Sequence, residues 1–329
     1  MAKNEYSSLY VLKAFAALLV LMVHFEFYKR QYFTPLYSCG VPLFFIISGF
    51  FVYAESFDKI RGKIMKSIKK MIKLIVFFNL AYFVLYCAIN GKSNIQSFHD
   101  IIRLVIYGDA IAGHLWFLNS YVWTLVLFML FLWHRKGYKV LGIVSILWTI
   151  LSLSERQYSF ILGLDYCFTQ NYWLPSLGVS LPMMYIGLSL KKYEDKITSI
   201  MSYGGARLNL FLFIAVCLLY IEHRLLCIGN HYSGGMMIST YIASVYFFYF
   251  CICHRNLGKG TMVAVIGKVH SANIYYWQFY PYYLFVYSFI AKYQLQNLSL
   301  LIMIVVLLGW SVCEKLLVAQ FNKLVNIQK

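Results

Sequence analysis

Apolar residues fall along this chain in long runs separated by short polar stretches. The runs show neither the two-residue alternation of a half-buried strand nor the narrow stripe of a soluble amphipathic helix. Ten of them approach the roughly 17–25 residues needed to cross a bilayer. In the first half they are Leu9–Phe27, Cys39–Ala54, Leu74–Ile89, Leu115–Trp133 and Val140–Leu153. In the second half they are Trp173–Leu190, Leu208–Ile221, Met236–Cys253, Ile274–Ala291 and Leu298–Cys313. The pattern predicts an all-α fold: a polytopic transmembrane helical bundle of about ten spans, one membrane domain over residues 1–329 without a soluble appendage. The longest connection, Ser154–Tyr172, is rich in aromatics, and its Phe160–Leu164 portion reads as a re-entrant or interfacial segment.

Composition agrees with a lipid solvent. Hydrophobic residues make up 61% and charged residues 12% of the chain, against about 25% charged in soluble domains. A net charge of +17 raises nucleic acid as a partner, but no basic-aromatic recognition module is present. The basic residues instead cluster between apolar runs. With ten spans and the N-terminus inside, 22 Lys and Arg fall in cytoplasmic segments and 7 outside. This bias puts both termini in the cytoplasm and the protein in the cytoplasmic membrane, with lipids as its surroundings. The first run, from Leu9, has no small-residue cleavage site after it and reads as a retained helix. The eight cysteines are scattered, without a Cys-x-x-Cys pair, so neither a metal site nor a disulfide framework is expected.

Candidate chemistry begins in the first run. Lys13 and His24 are ionisable groups within an apolar segment, where such groups are costly and usually face a cavity or a partner. Eleven helical steps leave them within about 20° of one face and about 16 Å apart along the axis. The bland alternative is a snorkelling lysine and a histidine bonded to a neighbouring helix. Gly40-Val-Pro-Leu-Phe-Phe-Ile-Ile-Ser-Gly49 follows, with small residues that permit close helix approach. Lys59–Lys73 holds seven basic residues, which fit either a topology signal facing anionic lipid or an entry site for a polyanionic cosubstrate. His114-Leu-Trp-Phe117 stands at the outer end of the fourth run, where Trp116 fits an aromatic belt. The ninth run carries the polar set Ser271-Ala-Asn-Ile-Tyr-Tyr-Trp-Gln278.

Taken together, these segments resemble the membrane-bound acyltransferase 3 family, whose members acylate surface polysaccharides and related glycans. Lys13 and His24 match its opening basic residue, ten intervening positions and histidine. Gly40–Gly49 matches its Gly-Val-x-Leu-Phe-Phe-x-x-Ser-Gly signature, and His114–Phe117 its His-Leu-Trp-Phe segment. Ser271 and Tyr275 fit Ser-x-x-x-Tyr-x-x-His, with Gln278 in place of the final histidine. Tyr10 stands where an acidic residue is common, and Lys70-Met-Ile-Lys73 replaces Arg-x-x-Arg, which keeps the charge but loses bidentate geometry.

The resemblance implies transfer of an acyl group, acetyl first among the candidates, from acetyl-CoA or another acyl-CoA to a sugar hydroxyl, with no tightly bound cofactor. The acceptor is a glycan or a lipid-linked saccharide. On this reading Lys13, Lys70 and Lys73 hold the cosubstrate's phosphates while its pantetheine arm runs toward His24. Histidine, with an ordinary pKa of about 6.5, suits a general base; acting as a transient nucleophile is the alternative. His114, Trp116 and Tyr275 are candidates for acceptor positioning or oxyanion stabilisation. The rivals are a transporter or flippase of a lipid-linked saccharide, which predicts related halves or broken helices, and a glycan polymerase, which predicts a large outer loop.

Overall fold

A computed structural model describes residues 5–93, 95–108, 111–132, 136–155, 157–162, 173–201 and 205–327. Among these there is helix and no strand. The principal helices are α1 (Ser7–His24), α2 (Gly40–Val52), α3 (Phe57–Asn90), α4 (Trp116–Phe131), α5 (Gly137–Glu155), α6 (Trp173–Lys192), α7 (Gly205–Ile228), α8 (Ile238–Cys253), α9 (Ser271–Trp277) and α10 (Ser299–Ile327). Seven described helical segments are long and apolar enough to cross a membrane, and Ile238–Cys253 is a shorter apolar helix. The chain divides into two compact units, one of Met1–Gly40 with Arg255–Lys329 and the other of Val41–His254.

Two elements depart from the runs read from hydropathy. The basic stretch Lys59–Lys73, read as a connection, is the first half of a continuous 34-residue helix, α3. At 1.5 Å per residue α3 is about 50 Å long, well beyond a hydrocarbon core of about 30 Å. Its lysine-bearing half therefore extends past the core without unwinding. Ser56 caps the N-terminus by accepting from the Lys59 amide, and Asp58 lies in the first turn, where a carboxylate complements the helix dipole.

The ninth run is not one regular helix either. With the residues that lead into it, it is a chain of short pieces: Met262–Val265 and a π-helical turn at Ile266–His270 before the run, then α9, a break at Gln278 and Phe279, a second π-turn at Tyr282–Val286, and Tyr287–Tyr293. Pro281 accounts for the break. Its ring nitrogen has no proton for the carbonyl of Trp277, so the ladder cannot continue through that turn.

Within the second unit, α2 and α6 cross at glycines. A methyl group at Gly49 would stand 2.0 Å from the Met184 carbonyl oxygen, and one at Gly187 would stand 2.0 Å from that of Ile46. The final glycine of the Gly40–Gly49 signature thus serves close backbone approach. We expect Gly49→Ala to lower the unfolding midpoint, at a cost of about 1–3 kcal/mol. An unchanged midpoint by differential scanning fluorimetry in detergent would contradict the crossing.

Small hydroxyls fasten α4 to α6. Ser120 Oγ donates to the Ser176 carbonyl at 3.0 Å and to Ser180 Oγ at 2.6 Å, and Thr124 Oγ1 lies 2.7 Å from Ser180 Oγ. Pro182, inside α6, leaves the Gly178 carbonyl without its helical donor. The Tyr241 hydroxyl of α8 donates to that carbonyl at 3.0 Å. Inside a membrane such a freed carbonyl needs a protein donor.

Only part of the Ser154–Tyr172 connection falls within the described residues, and the proposed segment Phe160–Leu164 is described as far as residue 162. A single turn, Ser159–Leu162, is present there. Beside it Tyr158 donates to the Glu222 carboxylate and accepts from the Ile238 amide at 3.0 Å. Glu222 Oε2 also takes the Ser239 amide at 2.7 Å, so it caps the start of α8. Burial and the neighbouring carboxylate push the Tyr158 phenol above its ordinary pKa.

Candidate active site

The seven sequence-derived site residues divide between the units. Lys13, His24 and Tyr275 belong to the first; Lys70, Lys73, His114 and Trp116 belong to the second.

In the first unit α1 runs unbroken from Ser7 to His24, so Lys13 and His24 share a face as the eleven-step spacing requires. His24 is the last helical residue, and Phe25 turns to extended backbone at φ −118°, ψ 141°. The α1 carbonyls left over at this end are taken by Arg30, whose Nε donates to Met22 at 3.2 Å and whose Nη2 donates to Val23 at 2.5 Å. Arg30 also pairs with Glu26. His24 keeps accessible surface at this helix end. Its ring is held edge-on by Phe279, with centroids 5.0 Å apart, and it has no hydrogen bond among the described residues. A ring fixed by an aromatic neighbour with both nitrogens unengaged is suited to exchanging a proton with something that approaches it. Arg30 is a supporting residue that carries no motif in the sequence.

At the other end of α1, Lys13 Nζ lies 6.0 Å from the centre of the Tyr10 ring. Lys268, on the first π-turn, lies 5.1 Å from the same ring and pairs with Glu5. Two cations therefore lie near one aromatic ring, at the position where the family resemblance implies an acidic residue. The Lys268 ammonium holds the Glu5 carboxyl below its usual range, and Glu5 in turn raises Lys268. A depressed carboxylate contributes above its ordinary pKa, about 4.3, and that contribution is lost as pH falls through the lowered value. Gly267 brings the π-turn onto α1: a methyl group there would stand 1.7 Å from the Tyr10 carbonyl oxygen. In the sequence Lys268 reads as one of the basic residues between apolar runs. Its position three residues before Ser271 was the one available signal.

α9 carries the polar set. Ser271 Oγ donates back to the Gly267 carbonyl at 2.7 Å, which commits its proton to the backbone. Tyr275 is buried, with its ring 5.8 Å from that of Tyr276. His270 Nδ1 lies 2.8 Å from Ser311 Oγ, and Asn273 Nδ2 donates to Glu314 at 2.6 Å, fastening this segment to α10. Gln278, in the histidine position of the family pattern, is fully buried in the helix break. Neither its Nε2 nor its Oε1 has a hydrogen-bond partner among the described residues. An unsatisfied buried amide costs about 1–3 kcal/mol. We expect Gln278→Met, of similar length, to raise the unfolding midpoint by a corresponding amount while lowering transfer, the signature of a polar group kept for a substrate. A variant with wild-type turnover would remove Gln278 from the site.

In the second unit the two aromatic signatures pack together. Phe45 of α2 stacks on Phe117 with centroids 4.4 Å apart and tilts against Trp116 at 6.5 Å. Trp116 is thus part of an aromatic cluster. His114, expected at an interface, is buried in the turn Gly113–Leu115, edge-on to Tyr82 at 5.1 Å. Lys70 and Lys73 are exposed on α3, and their three-residue spacing puts them about 60° apart around its axis.

A family model described as an acyltransferase domain matches residues 6–313, nearly the whole chain. No curated protein and no solved structure shows significant similarity.

Proposed function

Because the chain belongs to the acyltransferase 3 family, and is therefore a membrane acyltransferase, we propose that it transfers an acyl group, acetyl first, from acyl-CoA to a hydroxyl of a cell-surface glycan or its lipid-linked precursor. His24 is the general base in this reading, and the protein sits in the cytoplasmic membrane with ten crossings and both termini inside. The observation that carries the proposal is His24: at an accessible helix end, its ring oriented by Phe279 and without a hydrogen bond among the described residues.

The chemistry balances with one base. A neutral imidazole nitrogen takes the proton of the acceptor hydroxyl as its oxygen attacks the thioester carbonyl. The tetrahedral species collapses, the new C–O bond remains, and the C–S bond breaks. The imidazolium then returns its proton to the departing thiolate, which leaves as free CoA. Lys13 and Lys268 supply fixed positive charge one pantetheine length away, about 16 Å along α1 for Lys13.

The test is release of free thiol by the purified protein from acetyl-CoA in the presence of candidate glycans. Lys13→Gln and Lys268→Gln are expected to raise the KM for acetyl-CoA about tenfold or more, the worth of a hydrogen bond to a charged group. The acceptor KM should stay near wild type. Equal weakening of both substrates would show that these lysines maintain structure and do not bind donor.

A further inference from the structure

A second site lies wholly within the second unit, in a cavity of about 610 Å³ between α3, α4 and the segment that precedes α4. That volume is in the range of pockets that enclose a ligand of drug size, about 300–1,000 Å³. From α3 it takes Ile72, Val76, Asn79 and Phe83, a single stripe at helical spacing, and from α4 it takes Asn119 and Val122. The wall is otherwise almost entirely apolar.

The two asparagines are its distinguishing chemistry. Asn79 is 6% and Asn119 4% exposed. Asn79 Nδ2 donates to the Ile75 carbonyl at 2.8 Å, and Asn119 Nδ2 donates to those of Leu104 and Val105 at 3.2 and 2.9 Å. The amide nitrogens are therefore committed. The two Oδ1 atoms accept no hydrogen bond among the described residues. Two acceptors in an apolar wall call for an occupant with an O–H or N–H donor, since leaving each unmade costs about 1–3 kcal/mol.

Two further observations narrow the occupant. Val76 lines the cavity and is 62% exposed, as is its neighbour Leu80 at 60%, so the opening faces the lipid side of a membrane-spanning helix. Lys69, one turn before Ile72 and within about 60° of the cavity stripe around the α3 axis, is exposed at the basic end of the same helix. An anionic headgroup held there leaves its chain running along the stripe.

We propose that this cavity binds a single-chain anionic lipid with a hydroxyl along its chain, about 15 Å from the anionic end, the rise of the ten helical residues from Lys69 to Asn79: anionic end at Lys69, hydroxyl donating to one of the two asparagine oxygens, chain in the apolar slot. The assignment uses none of the residues given to acyl transfer and stands or falls separately from it.

The test uses the full chain in phosphatidylcholine nanodiscs and a mid-chain hydroxy fatty acid, its hydroxyl about 15 Å from the carboxylate, carrying a chain diazirine and an alkyne. Its O-methyl analogue, which cannot donate, is the matched control. Crosslinks are expected on peptides covering Ile72–Phe83 and Val122–Val126, with the hydroxyl probe labelling about fivefold more strongly than the ether, the worth of one hydrogen bond. Asn79→Leu should erase that difference, and Lys69→Gln should reduce labelling by both probes. Should Asn79→Leu not fold, the two probes on wild-type protein and the Lys69 variant decide. Equal labelling by hydroxyl and ether, crosslinks spread along the lipid face of α7, or displacement of the probe by acetyl-CoA would each overturn the lipid assignment.

Discussion

Replacing His24 with alanine is expected to reduce acyl transfer by about 10²–10⁴-fold, the usual contribution of a positioned general base, while expression and the unfolding midpoint stay close to wild type. The second half of that expectation comes from the ring's surroundings. His24 is exposed at the end of α1 and has no hydrogen bond among the described residues, so its removal strands no buried polar group. The main structural loss is the edge contact with Phe279, worth about 0.5–1.5 kcal/mol. His24→Gln keeps hydrogen-bonding capacity but cannot carry a proton between substrates, so it should fail as alanine does. Free-thiol release with acetyl-CoA and acceptor measures both variants. Turnover within a few-fold of wild type would remove His24 from the chemistry.

The largest structural effect is expected from Gly267→Ala. The added methyl would lie 1.7 Å from the Tyr10 carbonyl oxygen and 3.0 Å from the Ala14 amide nitrogen. Both neighbours are α1 backbone, which cannot swing aside as a side chain does. The π-turn has to move off α1, at a cost of about 3 kcal/mol or somewhat more, and it carries Lys268 away from Tyr10 and Lys13. Scanning fluorimetry should show a lowered midpoint, and donor binding should weaken with it. Gly62→Ala is the matched control, because nothing lies within 4 Å of that position; in a helix interior the change should stabilise by about 0.5–1 kcal/mol. A Gly267 variant that melts like wild type would contradict the packing described for α1.

Much of the helical architecture was legible because lipid-facing segments are long and uniformly apolar: nine of the ten apolar runs lie largely on one helix in the described residues, and the ninth is broken. What hydropathy could not give is the continuation of a helix through charge. Lysines at 59–73 mark the end of the hydrocarbon, not the end of α3. The π-turns at Ile266–His270 and Tyr282–Val286 were equally hidden, since a shift from four-residue to five-residue hydrogen bonding leaves no signature in composition. Pro281 did announce a break, and Gln278 sits in it.

For the site, the Lys13–His24 spacing needed only a straight helix, and α1 is continuous between them. Lys268 and Arg30 were out of reach because their partners, Tyr10 and the end of α1, are joined to them by folding back of the chain. The same holds for Asn79 and Asn119: forty positions apart, each reads in isolation as an ordinary polar interruption of a span. Glu222, which caps α8 through the Ser239 amide, was missed for a related reason.

Transfer of isotope-labelled acetyl from acetyl-CoA to glycan hydroxyls, followed by mass spectrometry in membranes with wild-type protein and with His24→Ala, tests the central claim most directly. The account predicts labelled ester on the glycan in step with free CoA for wild type, and neither product for the variant. Labelled ester formed equally well by the His24 variant, or no ester from any acyl-CoA and glycan pair, would contradict it.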